Sequence, residues 1–191
     1  MNISSNALKV FERVRSTPQP RAICKWQIIW SWIGAFFGIG LVSILSGLVL
    51  NGTGLTLIIG SFGASAVLIY GAVDSPLAQP RNLIGGHILS AVIGVACYQL
   101  FADQPWLAAP AAVATAIAVM QLTGTVHPPG GATALIAVIG GPGIHDLGYF
   151  YVILPVATGA VLLLIVAMVV NNIAPGRCYP IRPAGPSTPG E

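Results

Sequence analysis

The stretch TVHPPGGATALIAVIG, Thr125 to Gly140, sets a histidine, two prolines and two glycines ahead of a short apolar run. Prolines donate no amide hydrogen and glycines tolerate positive φ, so a helix is not expected to run unbroken through Pro128, Pro129, Gly130 and Gly131. In hydrocarbon, broken backbone is tolerated only where protein buries it or it lines a cavity. The stretch is therefore the first place to look for function, provided that the rest of the chain is embedded in a membrane.

Composition meets that condition. Of 191 residues, 55% are hydrophobic and only 7% charged, with a mean hydropathy of +0.83, whereas about 25% of residues carry charge in soluble domains. No Asp, Glu, Lys or Arg occurs between Gln27 and Val73, Asn82 and Ala102, Gln104 and His145, or Leu147 and Gly176. Each window can hold at least one span of roughly 20 residues. The net charge of +3 sits at the ends, with Lys9, Arg13, Arg15, Arg21 and Lys25 before the first span and Arg177 and Arg182 after the last. That pattern orients a membrane protein rather than forming a nucleic-acid-binding face. Cys24, Cys97 and Cys178 have neither the spacing of a metal site nor an even count for a disulfide framework.

Residues 1–26 form a basic N-terminal segment, in which Leu8, Phe11 and Val14 fall at the spacing of a helix lying on the membrane surface, a mobile tail being the alternative. Residues 27–172 form one transmembrane domain, and 173–191 a flexible Pro/Gly-rich tail. The apolar runs cover 28–50, 55–73, 83–101, 107–122, 132–139 and 149–170. The first is too long for a removable leader, and no small-residue cleavage site follows it. Asn51 to Gly54 reads as a tight turn, and the alanine-rich fourth run as a face for close helix packing or for a homo-oligomer.

The second and fifth runs are interrupted and could either cross or re-enter. Six crossings put every Lys and Arg on one face and Asp103 and Asp146 on the other, while four move Arg81 outside and Asp103 inside. Charge favours six modestly; the length of 55–73, about 28 Å as helix, favours six more. Both counts keep the two termini cytoplasmic. Gly63-Ala-Ser-Ala66 is echoed by Gly131-Ala-Thr-Ala134, each in the middle element of a three-element half, 27–101 and 107–171. Three crossings per half would invert one half relative to the other, as in many transporters.

A helix restarting near Ala132 would offer free amides and a positive dipole end, which binds anions without a charged side chain. The equivalent end in the first half involves Gly63, Ala64 and Ser65; Ser65, Thr133, His87 and His127 add donors, or a proton. Embedded carboxylates, which cation pathways generally use, are missing from the spans, so a small anion or neutral solute fits better than a metal or Na⁺. The bland alternatives are packing breaks at the prolines, hydroxyls bonded to their own helix, and structurally satisfied histidines. His145-Asp146 reads as a solvated turn and Arg81 as an orientation determinant. No nucleophile–base–carboxylate set or metal cluster is visible, so no enzyme, cofactor or metal is expected.

The runs FGASAVLIYGAVDSPLAQPRNLIGGHILSAVIGV, Phe62 to Val95, and TGTVHPPGGATALIAVIGG, Thr123 to Gly141, resemble the HPP family of integral membrane proteins, named for the motif at His127-Pro128-Pro129 here. The resemblance covers nearly the whole membrane region. Members occur in bacteria, notably cyanobacteria, and in plastids, and some act in nitrite transport. The resemblance thus implies a transporter or channel for nitrite or a similar small inorganic anion; a non-transporting regulatory or structural subunit is the alternative. It also implies four spanning helices rather than six. With no plastid transit peptide ahead of the first span, a bacterial inner membrane is the expected location. The formate/nitrite channel family is similar in architecture alone.

Overall fold

A computed structural model of the chain describes residues 24–49 and 57–181. The expected surface helix before residue 24 and the turn at 51–54 lie outside them. The described residues are all-helical: α1 (Lys25–Val49), α2 (Gly60–Ala66) continued by a wider π turn at Val67–Gly71, α3 (Pro80–Leu100), α4 (Pro105–Thr123), α5 (Pro128–Ile139), the short α6 (Pro142–His145) and α7 (Thr158–Ile173), led in by a π segment at Val152–Ala157. Among the described residues four stretches are long and apolar enough to cross a membrane: Lys25–Leu48, Pro80–Leu100, Pro105–Thr123 and Val152–Ile173. The apolar helices Gly60–Gly71 and Pro128–Ile139 are shorter.

Proline and glycine set the boundaries. α3, α4 and α5 each begin on proline, which is pre-set for the first helical turn and whose missing amide is no loss there. α4 stops at Gly124, whose φ of +64° is the left-handed cap that glycine adopts without strain. Leu154 is forced out of helical geometry (φ −126°, ψ 117°) because it precedes Pro155.

Hydrogen bonds and close packing contacts fix the direction of the elements that traverse the bundle. The amide of Leu57 donates to Ser46 Oγ at 2.9 Å, whereas at the other end of the same element Ser31 Oγ donates to Tyr70 O at 2.7 Å. The chain from 57 to 71 thus runs antiparallel to α1 across about 22 Å of its rise. At the end of the molecule where Tyr70 lies, here termed the basic end, Arg177 donates to Gln27 O at 2.6 Å and Tyr70 O at 3.1 Å. α3 leaves from this end, α4 returns to it, and Arg81 Nη2 donates to Thr123 O at 2.7 Å. α5 then runs parallel to α3: Gly86 lies against His127, and Gly94 against Ala134 and Ala137. At the far end the ring of His145 stacks on Tyr98, centroids 3.8 Å apart. α7 returns to place Asn171 Nδ2 2.8 Å from Ile69 O.

Six elements therefore traverse the bundle, four as full-length helices and two as short ones. Each short helix rises about 18 Å and is preceded by non-helical residues, 57–59 and 125–127, of which Ile59 and His127 are extended and which add at most about 10 Å. The interrupted run 55–73 is this composite over its described residues, 57–71. Lys25, Asp74, Arg81 and Arg177 share the basic end, and Asp103 and Asp146 the far one. The three elements of 27–101 run in the opposite sense to the three of 107–171.

The tail corrects one expectation. Residues 174–181 belong to the fold: Tyr179 is 2% exposed, its hydroxyl donates to Ala78 O at 2.7 Å and its amide to Asn172 Oδ1 at 3.1 Å. An aromatic ring this deeply buried outweighs the loop-like composition around it. α4 is buried along one stripe only, Ala108, Ala112, Ala116 and Met120, four residues apart, and its opposite face is exposed.

Candidate functional site

Close helix approach creates the site. A Cβ on Gly86 would stand 2.5 Å from His127 Cβ, and one on Gly94 2.6 Å from Ala134 O, so α3 and α5 approach as only glycine allows. Against this pair lies α2. Where the three meet, Ser61, Ser65, His87, His127 and Thr133 are all buried to 0–1% exposure.

These five side chains bond to one another. Ser65 Oγ lies 2.7 Å from His87 Nε2 and 2.9 Å from His127 Nε2. His87 Nδ1 is 2.7 Å from Thr133 Oγ1, which is 2.9 Å from Ser61 Oγ. His127 Nδ1 donates to Leu77 O at 2.9 Å, tying the cluster to the turn Pro76–Ala78 at the basic end. The imidazole centroids are 5.0 Å apart, and Phe62 packs edge-on against His87 at 5.4 Å. Tyr151 closes the other side, its hydroxyl donating to Thr133 O at 3.1 Å. Among the described residues no buried side-chain nitrogen or oxygen is left without a partner.

Ser65 and Thr133 occupy equivalent positions. Each hydroxyl also lies near the carbonyl four residues back, Ser61 O at 3.2 Å and Pro129 O at 3.3 Å, and each helix follows an extended residue, Ile59 or His127. The short contacts to the ring nitrogens are the stronger claims on each single hydroxyl proton.

Of the residues singled out by sequence, Ser65, His87, His127 and Thr133 are brought together. Pro129 and Gly130 are buried beside them, Gly131 and Ala132 are half-buried, and Gly63, Ala64 and Pro128 are exposed. The reason is where the helices start. α2 begins at Gly60 and α5 at Pro128, not near Gly63 or Ala132, so Gly63 and Ala64 fall on the outer face, while Ser61 and Ser65, four apart, share the inner one. Ser61 was legible only through that four-residue spacing, and the Leu77 carbonyl had no sequence signal at all. His145 and Arg81 cap helices: His145 Nε2 donates to Val138 O at 2.9 Å, and Arg81 holds the end of α4, where the helix dipole favours a cation.

Two cavities, of about 470 and 420 Å³, lie elsewhere. The first is at the basic end between Gln27, Ser31, Asp74, Ser75 and Arg177; the second follows α1 along Trp32, Ala35, Gly63 and Tyr70. Burial pulls the Arg177 guanidinium down from its ordinary range, and Asp74 opposes that. Among the described residues no group of three or more His, Cys, Asp or Glu side chains is placed to hold a metal ion.

The bundle and its HPP-centred cluster accord with a family match. The model of the family described as "HPP, transmembrane region" matches residues 20–180. The chain belongs to the HPP family. Two transmembrane proteins of Dictyostelium discoideum are similar to this HPP chain, one 45% identical over 159 residues and the other 43% over 161, each match covering 81% of the chain. It covers 50% and 55% of those proteins, so the chain spans about half the length of the curated relatives it matches. No solved structure matches. In this HPP protein the motif's histidine is the residue before α5, and its two prolines are the first turn of that helix rather than a break within it.

Proposed function

We propose that this HPP protein is a membrane transporter for a small inorganic anion, nitrite being the anion that the resemblance implies. The observation that carries the reading is the buried cluster of two imidazoles and three hydroxyls, held between two short, oppositely directed helices with no charged side chain in it. Neutral donors bind a passing anion without the fixed positive charge that would hold it too tightly. Helix amides contribute little at α5: Pro128 and Pro129 have none and that of Gly130 is bonded to His127 O at 2.8 Å. At α2 the amides of Gly60 and Ser61 are better placed, because neither residue is proline. With its bonds internally satisfied the cluster is in a closed state, and the anion takes over the bond between Ser61 and Thr133 as the short helices part there.

In this proposal the halves 27–101 and 107–171 are an inverted repeat, and the exposed small-residue face of α4 (Ala114, Thr115, Ala118) is where copies of the chain meet as a homo-oligomer. The basic end faces the cytoplasm of a bacterium, by the bias of Lys and Arg. The chain is assigned no catalytic role and no nucleic-acid partner.

The test is nitrite entry into liposomes holding the purified full chain, read against protein-free liposomes. Entry above that background is expected, and His127→Ala lowers it while expression and oligomer size are retained. A folded protein that passes no nitrite would overturn the reading. The complete internal satisfaction of the cluster would then favour the second one, a regulatory or structural membrane subunit.

A further inference from the structure

The cluster has a direction. Leu77 O accepts and cannot donate, so His127 Nδ1 carries a hydrogen. In a neutral ring Nε2 is then an acceptor, and Ser65 Oγ gives it its proton. Ser65 has only one proton, so its oxygen accepts from His87 Nε2. His87 Nδ1 is thereby an acceptor, and the single Thr133 proton goes to it at 2.7 Å in preference to Ser61 Oγ at 2.9 Å and Pro129 O at 3.3 Å, towards both of which Thr133 is also placed as donor. Four hydrogen bonds of 2.7–2.9 Å thus point the same way, from the bundle centre to the turn Pro76–Ala78 at the basic end.

We propose that Thr133, His87, Ser65 and His127 form a proton relay from the centre of the bundle to the Leu77 carbonyl, so that the anion crosses together with a proton. This rests on the transporter reading above. The proton arrives with the substrate in its acid form and binds Thr133 Oγ1, which releases its own to His87 Nδ1. His87 gives its Nε2 hydrogen to Ser65 Oγ, and Ser65 gives its proton to His127 Nε2. His127 releases its Nδ1 hydrogen beside Leu77 O, to water at the basic end. One O–H or N–H bond forms for each that breaks, and the anion is left without the proton it brought. Leu77 is half-buried and lies two residues from Ser75 in the lining of the 470 Å³ cavity. After one passage both imidazoles hold the other tautomer, with Nδ1 of His127 and Nε2 of His87 bare, so the chain is reset when both rings and the hydroxyls between them turn.

Little else competes for that proton. Facing the rings are Ser61, Phe62 and Ser65 from α2, Thr133 from α5, the Leu77 carbonyl and each imidazole to the other. Met120 from α4 lies by Gly130, and the Tyr151 phenol is committed to Thr133 O. Among the described residues no carboxylate or cationic side chain bonds to the cluster.

The experiment uses the full chain in liposomes loaded with a pH-sensitive dye, nitrite added outside, internal nitrite and pH being read in the same vesicles. One proton per nitrite above the protein-free background is expected. Ser65→Ala, which cuts the chain at its middle, lowers both fluxes roughly tenfold or more, and Ser65→Thr, which keeps the hydroxyl, restores them. Nitrite entry without a proton, sustained only when a potassium leak balances charge, overturns the relay. If nitrite does not enter at all, the transporter reading fails, and the relay is judged by an imposed pH gradient. Collapse through the wild type roughly tenfold faster than through Ser65→Ala supports it, and equal rates overturn it. Should Ser65→Ala not fold, nitrogen-15 spectra of the histidine-labelled wild type in bilayers decide: Nδ1–H on His127 and Nε2–H on His87 support the relay, and any other tautomer overturns it.

Discussion

Gly86→Ala adds one methyl group at the tightest point of the site. Its carbon would lie 2.5 Å from His127 Cβ, 3.0 Å from Thr125 O and 3.4 Å from Met120 Sδ. Unstrained carbon contacts need about 3.5–4.0 Å. Met120 can turn its thioether aside, but Thr125 O is backbone and His127 is tied at both ring nitrogens. The helices α3 and α5 must therefore separate by about 1 Å, which stretches the 2.7 Å bond between His87 on α3 and Thr133 on α5 beyond hydrogen-bonding range. Overpacking costs about 1–3 kcal/mol, and each disrupted hydrogen bond about 0.5–1.5 kcal/mol more, so the variant should lose about 2–5 kcal/mol. Gly40→Ala is the matched control, because nothing lies within 4 Å of its added carbon and helix propensity alone predicts a gain of at most about 1 kcal/mol. Reversible unfolding in mixed micelles of both variants measures the difference. Equal midpoints for the two would refute the close approach on which the cluster depends.

Two further predictions concern the ends of the bundle. Burial pushes the Tyr179 phenol above its ordinary value of about 10, so the folded state keeps a proton that the detached segment releases; its anchoring should be complete below about pH 10 and weaken as pH rises above it. Amide exchange at 174–181 should there accelerate more steeply than in proportion to hydroxide, and Tyr179→Phe should leave only the proportional rise. The traverse of α2 predicts that Ser75→Cys is labelled by an impermeant thiol reagent from the same side as the native Cys24 and Cys178, and Asp103→Cys from the opposite side; labelling of Ser75→Cys opposite to Cys24 would restore a re-entrant second element.

The four long helices were legible because each charge-free window exceeds the length of a span, and lipid leaves such a window little choice but to be helix. The two short ones were legible as irregularities but not in their boundaries. Pro128 and Pro129 stop one helix and suit the first turn of the next, and the sequence pattern alone does not separate these roles. The choice decided which side chains face inward: a start at Pro128 turns Thr133 in, and a start at Gly60 turns Ser61 and Ser65 in while leaving Gly63 and Ala64 out. Arg177 looked like an orientation charge, yet its guanidinium donates to Gln27 O, Tyr70 O, Asn171 Oδ1 and Ser31 Oγ, joining three elements. Such partners are backbone and small polar groups far away in sequence, and no local pattern announces them.

The interior combines polarity with neutrality, and that combination constrains what it can carry. Moving a bare ion into a low-dielectric core costs far more than neutral hydroxyl donors return, unless water or opposite charge accompanies it. The cluster supplies no opposite charge, and its polar atoms already satisfy one another. Under the proposed relay a weak acid would meet this core differently, because as the neutral acid it would approach without net charge and give up its proton to Thr133 only where the relay begins. The ion would then exist in the core only for the step from the cluster to the basic end, where Arg81 and Arg177 stand. On this argument the cluster selects for the conjugate base of a weak acid over a permanently charged anion of the same size. Chloride, which has no accessible acid form, should enter the same liposomes far more slowly than nitrite, and equal entry of the two would remove the need for a relay.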